Sequence, residues 1–269
     1  MGPSHALNGL SLASMAMQAG GIVGSLASGV LIGVFGPGWL YVVVGVSYIA
    51  ATVVLLGTGP IIESVKAHRK SILSNLAGYV RIIRENRILL VLMCLASITE
   101  VLGFTHMTLL PVFAKEVLFV GPVGLGVMTA VRQGGGFVGL TLLASLRDYR
   151  RKGMLMFVIA GAFGLALMAF SLSTNLFFFL AVLAVVNACA MAVDTLYKAL
   201  MQENVAEEER GRAMGSWVLS IGTAPVGHLG VGGLAELLGA PGALLLNGGV
   251  LAFVSLGAAI GLPRLRRLP

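Results

Sequence analysis

The chain has 269 residues, 57% of them hydrophobic and 11% charged, and its mean hydropathy is +0.96. That much apolar surface excludes a soluble globular domain and indicates a polytopic membrane protein. The net charge of +7 does not indicate nucleic acid, because the basic residues fall in short runs between apolar segments rather than on one phosphate-binding face.

In chain order, Met1-Gly-Pro-Ser-His carries no basic run, so no cleaved signal peptide is expected. Eight apolar segments follow: 10–34, 38–57, 88–114, 122–146, 153–172, 175–199, 213–237 and 242–262. Each approaches the roughly 20 helical residues that a bilayer crossing takes. The runs are continuously apolar, which excludes the alternating strands of a β-barrel, so the expected fold is an all-α membrane bundle of eight transmembrane helices. Gly36-Pro37-Gly38, Gly121-Pro122 and Pro241-Gly242 mark turns between spans. Cys94 and Cys189 lie inside apolar segments and are read as packing residues, not as a disulfide or metal site.

The only long connection is 58–87. Within it, Ile72, Leu76, Tyr79, Val80 and Ile83 share one helical face while Arg81 and Arg84 lie off it, the pattern of an amphipathic helix on the inner membrane surface. All but three of the 18 basic residues (Lys115, Arg132 and Lys198) fall in connections or in the tail on one side of the bundle. The positive-inside rule makes that side cytoplasmic, with both termini there.

Two stretches echo each other. Gly24 falls on Gly227, Leu26 on Leu229, Gly29 on Gly232, Leu31 on Leu234, Gly36 on Gly239 and Gly45 on Gly248. Each stretch reads as an apolar helix, a Gly/Pro turn and a second apolar helix. A helix pair that recurs after about 200 residues indicates a duplicated unit. The second copy has four apolar segments between it and the long connection, whereas the first has none before it, so the chain is expected to begin partway through its first repeat.

Glycines spaced along helices allow backbones to approach in lipid, where apolar side chains gain little by leaving hydrocarbon. Gly24, Gly29, Gly135, Gly139, Gly227 and Gly232 are read as helix-packing positions. Gly230-Val-Gly232-Gly-Leu-Ala235 fits a dinucleotide-binding spacing on paper, but it lies mid-span with no preceding strand. No cofactor or metal is expected. The chain has no Walker A sequence, no H-E-x-x-H and no G-x-S-x-G, so neither ATP-driven transport nor hydrolysis is indicated and no enzyme activity is expected.

Charges inside spans are costly in lipid and are functional candidates. At about 1.5 Å per residue, Glu100 and Arg132 lie about 18 Å and 22 Å from the basic side, at similar depth. They are expected to pair beside a cavity, with Glu100 available to carry a coupling proton. The alternative is a pair that only fixes packing. His106 and His228 are further proton candidates, each weighed against a hydrogen-bonded structural role. Asp194 and Lys198, four apart on one helix, are expected to pair, either structurally or as a gate near the cytoplasmic mouth. Phe104, Phe113, Phe137, Phe163 and Phe170, with Met107, Met128 and Met168, would make a deformable apolar wall or plain core.

Gln202-Glu-Asn-Val-Ala-Glu-Glu-Glu-Arg210-Gly211-Arg212, followed by Pro225-Val-Gly227, resembles the second half of the major facilitator superfamily. Leu110-Pro111-Val-Phe-Ala114, Gly124-Leu-Gly126 and Gly134-Gly-Gly136 are similar to the seventh and eighth helices of its drug and siderophore exporters related to the enterobactin exporter. Arg147-Asp148-Tyr-Arg150-Arg151 resembles the second copy of the superfamily's basic loop motif, with Ala144 in place of a usual glycine; Ala206 likewise replaces a common proline. The resemblance covers essentially the whole chain. It implies that the eight spans correspond to helices five to twelve of a twelve-helix fold. Residues 1–57 would be the last helix pair of the N-terminal half, 58–87 a cytoplasmic linker, and 88–269 the C-terminal six-helix bundle. It implies loops that latch one conformation through Asp148, Arg150, Arg151, Gln202, Glu209, Arg210 and Arg212, against the alternative that these charges only set topology. It also implies a multi-pass protein of the plasma membrane, in bacteria the inner membrane. The expected partners are the lipid bilayer and a small amphipathic substrate whose export a proton gradient drives. The other reading is a non-transporting membrane piece, the first four helices being supplied by a longer chain or a partner.

Overall fold

The computed structural model describes residues 3–57, 86–146 and 149–268. The expected amphipathic helix and Asp148 lie outside the described residues. Among those described, every regular element is helical. They are α1 (Pro3–Phe35), α2 (Pro37–Gly57), α3 (Arg87–Gly103), α4 (His106–Val112), α5 (Gly121–Ser145), α6 (Lys152–Ser171), α7 (Leu176–Glu203), α8 (Arg210–Ile221), α9 (Ala224–Gly261) and α10 (Pro263–Arg266). Their ends follow local chemistry. Asn86 caps α3 by accepting the Leu89 N–H at 3.1 Å, and Asn175 caps α7 by accepting the N–H groups of Phe177 and Phe178.

All eight expected segments are helical, but three differ from uninterrupted spans. The third breaks at Phe104–Thr105 between α3 and α4. It then loosens into a π-turn at Phe113–Val117, just after Pro111 withdraws its amide donor. The seventh breaks at Gly222–Thr223, where Pro225 opens α9 two residues later. The eighth continues α9 past Gly239, whose φ of 72° is the only non-helical backbone in that stretch. Five stretches are long and apolar enough to cross a membrane: Pro37–Gly57, Arg87–Val117, Lys152–Ser171, Leu176–Glu203 and Ala213–Gly261. The count differs from eight. Arg132, Gln133 and the glycines Gly134 to Gly136 dilute α5. α1, at 33 residues, is long enough to cross, but only its part Ala19–Phe35 has described side chains. Ala213–Gly261 holds two of the expected spans.

The chain reverses at Gly239. Gly227, before the turn, abuts Val101 and Thr105. After the turn, Asn247 donates to the Thr105 hydroxyl at 3.1 Å. One level of α3–α4 thus meets both arms of α9. Beyond it the second arm descends along α6, with Gly248 against Gly164 and Leu265 against Gly153. The aligned glycine of the opening helix pair, Gly36, has φ 82°. The two echoing stretches therefore turn through the same kind of left-handed glycine.

Small residues set the helix contacts. Gly135 and Gly139 of α5 lie on the backbone of Ala184 and Ala188 in α7, and Gly29 of α1 lies on Gly126 of α5. Gly227 packs as expected. Gly24 and Gly232 do not: among the described residues, a methyl group at either would meet nothing within 4 Å. The tight contacts at Gly103, Gly126, Gly153, Gly164 and Gly248 were not expected. The core between α4, α6 and α7 holds Phe113, Phe163, Phe170 and Phe179, all fully buried. Phe170 and Phe179 stack with centroids 4.3 Å apart. α2 buries no residue, and its apolar side chains form an outward face suited to lipid.

Candidate transport site at two helix breaks

α3 and α8–α9 run side by side in the same direction. Ser220 donates to the Met93 carbonyl at 3.1 Å, and Gly227 lies farther along against Val101. Their two interruptions fall at neighbouring levels, with a small pocket between them. It is lined by Ala96, Thr99, Glu100, Phe104, Asp194, Tyr197, Trp217, Ser220 and Ile221. Phe104 lies in the first break, and Ile221 ends α8 just before the second. Interrupted backbone at membrane depth persists where it is buried or lines a cavity, and it marks binding sites in transporters.

Within the pocket, Asp194 and Lys198 form the expected ion pair at 2.8 Å. Trp217 adds two contacts that sequence reasoning missed. Its Nε1–H donates to Asp194 Oδ1 at 2.7 Å, and its ring lies 4.0 Å under Lys198 Nζ. The only available signal was a tryptophan on the helix that follows the basic loop. Thr99 donates to Leu95 O and so receives the Tyr197 hydroxyl at 3.0 Å, tying α3 to α7.

Glu100, half-buried, faces this cluster rather than Arg132. The expected Glu100–Arg132 pair is corrected accordingly: among the described residues no ion pair joins them. Arg132 directs Nη1 to Met107 Sδ at 3.0 Å. Equal depth put the two at one level but could not say which way each helix turned its charge. His106 is fully buried. Its Nδ1 donates to Gly103 O at 2.8 Å beside the α3–α4 break, while its Nε2 has no hydrogen bond of normal geometry among the described residues, Asn187 being the nearest polar side chain that acts on the ring. The ring stands edge-on to Phe163 and Phe170. His228 Nδ1 meets the Thr108 hydroxyl at 2.7 Å, bridging α9 to α4. Phe113, Phe163, Phe170 and Met128 are core, and only Phe104 of the expected apolar wall reaches the Glu100 pocket.

At the basic end, Arg150 and Arg151 meet Arg266 and Arg267 around one hollow. Lys152 pairs with Glu203, and Asn86 donates to Asn204 O. The starts of α3 and α6, the end of α7 and the tail thus share one end of the bundle, as the charge pattern required. Among the described residues, no charge pair between helices involves the loop residues named by resemblance, and Gln202 alone of them bonds from one helix to the next. Arg210 reaches Glu207 within its own turn at 3.6 Å, and Gln202 donates to Met214 Sδ at 2.6 Å. The Glu209 amide closes its own 3₁₀ turn on Ala206 O. The Arg212 side chain lies outside the described residues.

Interrupted apolar helices, five stretches of them long and apolar enough to cross a membrane, define a multi-pass membrane protein. The profile of the transmembrane secretion effector family, within the major facilitator superfamily, matches residues 5–267, and the chain belongs to that family. No curated protein matches it.

Proposed function

We propose that the chain acts in proton-coupled export of amphipathic small molecules, with Glu100 as the proton-carrying group. One observation supports this most strongly. Asp194 is already held by Lys198 and Trp217, whereas Glu100 opens onto the same pocket with no cation of its own among the described residues. A carboxyl group so placed can exchange a proton when the helices around it move. The pocket is only about 10 Å³ in this structure, room for about one water molecule, so a substrate would reach Glu100 only after the helices that carry Phe104 and Trp217 move apart. In this reading residues 1–57 and 88–269 belong to two halves that move relative to each other, and the basic end faces the cytoplasm of a bacterial inner membrane. The test is efflux of a fluorescent amphipathic panel from everted vesicles, with and without a pH gradient. Glu100→Gln is expected to abolish the gradient-dependent component while surface expression stays normal. Gradient-driven efflux at the wild-type rate in that variant would end the proposal.

A second reading has its own observation. On the first arm of α9, Val226, Leu229 and Leu237 are exposed, and a methyl group at Gly230 or Gly233 would meet nothing within 4 Å among the described residues. Small residues on an open apolar face suit another helix, so the bundle would work only with helices from a partner. Reconstitution of the purified chain separates the readings. Export by the chain alone supports the first, and export that appears only when a membrane extract is added back supports the second.

A further inference from the structure

The basic hollow is unlike the rest of the surface. Arg150 and Arg151 enter it from the segment before α6, and Arg266 and Arg267 enter from the end of α10, with Met154 between them. Its volume of about 660 Å³ lies within the range of small-ligand sites. The two pairs are far apart in sequence but are held together firmly. Leu265 is buried against Gly153, and the Gly153 amide donates to Leu268 O at 3.3 Å. None of the four guanidinium groups has an acidic partner among the described residues, although Lys152 and Arg210 nearby do. Four like charges around one concavity repel unless an anion sits among them, and planar guanidinium forks match phosphate oxygens two at a time.

We propose that this hollow binds the phosphodiester headgroup of an anionic membrane lipid, the two arginine pairs matching a headgroup that carries two phosphates. Its position selects lipid over a free anion. The hollow lies at the foot of the seam between α6 and the second arm of α9. Above it, Val158 and Leu165 on α6 and Phe253 and Leu256 on α9 are exposed apolar side chains along which acyl chains can lie. Basic pockets between membrane helices at the water interface hold such headgroups. The lipid would tie the tail to the α6 entrance in the bilayer.

The test uses the full chain purified in detergent, with native mass spectrometry of bound lipid after incubation in mixed micelles. At equal mole fractions the wild type is expected to retain a cardiolipin-type lipid over zwitterionic phosphatidylethanolamine. Arg150→Gln/Arg151→Gln and Arg266→Gln/Arg267→Gln are each expected to weaken that retention by about tenfold or more. Arg264→Gln, outside the hollow, leaves it unchanged. Equal retention of the two lipids by the wild type, or undiminished retention in both paired variants, overturns the site. Added inorganic pyrophosphate distinguishes the sources. It should not displace the lipid, and displacement as effective as by fresh lipid would make the occupant a soluble phosphate anion and overturn the lipid assignment. Where a paired variant does not run as a monodisperse species, the lipid preference of the wild type decides alone.

Discussion

At Asp194 two donors share one carboxylate, Trp217 on Oδ1 and Lys198 on Oδ2, and they do different work. Lys198 lies one turn along the same helix, so its 2.8 Å ion pair constrains nothing beyond α7. Trp217 comes from α8, so its 2.7 Å bond joins two helices across the pocket. A hydrogen bond to a charged acceptor contributes about 1.5–3 kcal/mol. Trp217→Phe keeps the ring under Lys198 but removes the donor, and it is expected to lower stability by about that amount. Lys198→Met is expected to cost less, because Trp217 still holds the carboxylate; thermal unfolding in detergent compares the two. His106 poses the opposite case. One ring nitrogen supports the helix break, and the other makes no hydrogen bond of normal geometry among the described residues, although Asn187 and Arg132 act on the ring beside the edges of Phe163 and Phe170. Replacement by Phe loses one bond and removes an unsatisfied polar atom, so the two effects offset. Stability is expected to stay within about 1 kcal/mol. Gradient-driven efflux lost in a folded His106→Phe variant would give the ring a proton role; efflux retained assigns it to packing.

Between helices, glycine position matters more than glycine count. The α5–α7 contact rests on Gly135 and Gly139, where an added methyl group would run into the backbone of Ala184 and Ala188. Backbone cannot swing aside as a side-chain tip can, so the helices must separate. Gly139→Ala is therefore expected to destabilise by about 1–3 kcal/mol, the usual cost of overpacking. Gly232→Ala, with open space around it, is expected to stay within about 0.5 kcal/mol or gain slightly from better helix propensity. Unfolding midpoints of the two variants side by side check this contrast, and equal losses would refute it. The echo between the opening and closing helix pairs is also an element-scale feature. The aligned Gly36 and Gly239 share a positive φ, whereas the aligned Gly29 and Gly232 do not share an environment, since one packs and the other is open. Backbone geometry at the turn outlasts side-chain surroundings, because only glycine reaches that conformation at little cost.

Across the whole molecule, what the sequence made legible followed from periodicity, hydropathy and charge. The helical segments, their turns, the Asp194–Lys198 pair and the clustering of basic residues at one end all depend on local spacing, which sequence carries directly. The Glu100–Asp194 juxtaposition, the Trp217 bridge and the meeting of Arg150 with Arg266 depend on how helices rotate about their own axes. That rotation is set by glycine contacts among distant segments, and residue spacing does not reveal it. The second helix break was partly legible, since Pro225 lies two residues after it, whereas Pro111 lies beside the π-turn and not at the first break; a proline in a span does not say whether the chain kinks, loosens or stops. Orientation in the bilayer is the property on which the charge distribution bears most directly. Arg150, Arg151, Arg264, Arg266 and Arg267 lie at one end, and Glu236 is exposed near the Gly239 turn at the other. Moving that many cations across a membrane during insertion is disfavoured, so the arginine end should stay in the cytoplasm. With Cys94 and Cys189 replaced by Ala, a membrane-impermeant thiol reagent applied to intact cells is expected to modify Glu236→Cys and to spare Arg264→Cys until the membrane is opened. Modification of Arg264→Cys in sealed cells would invert the molecule, and the basic hollow would then face outward.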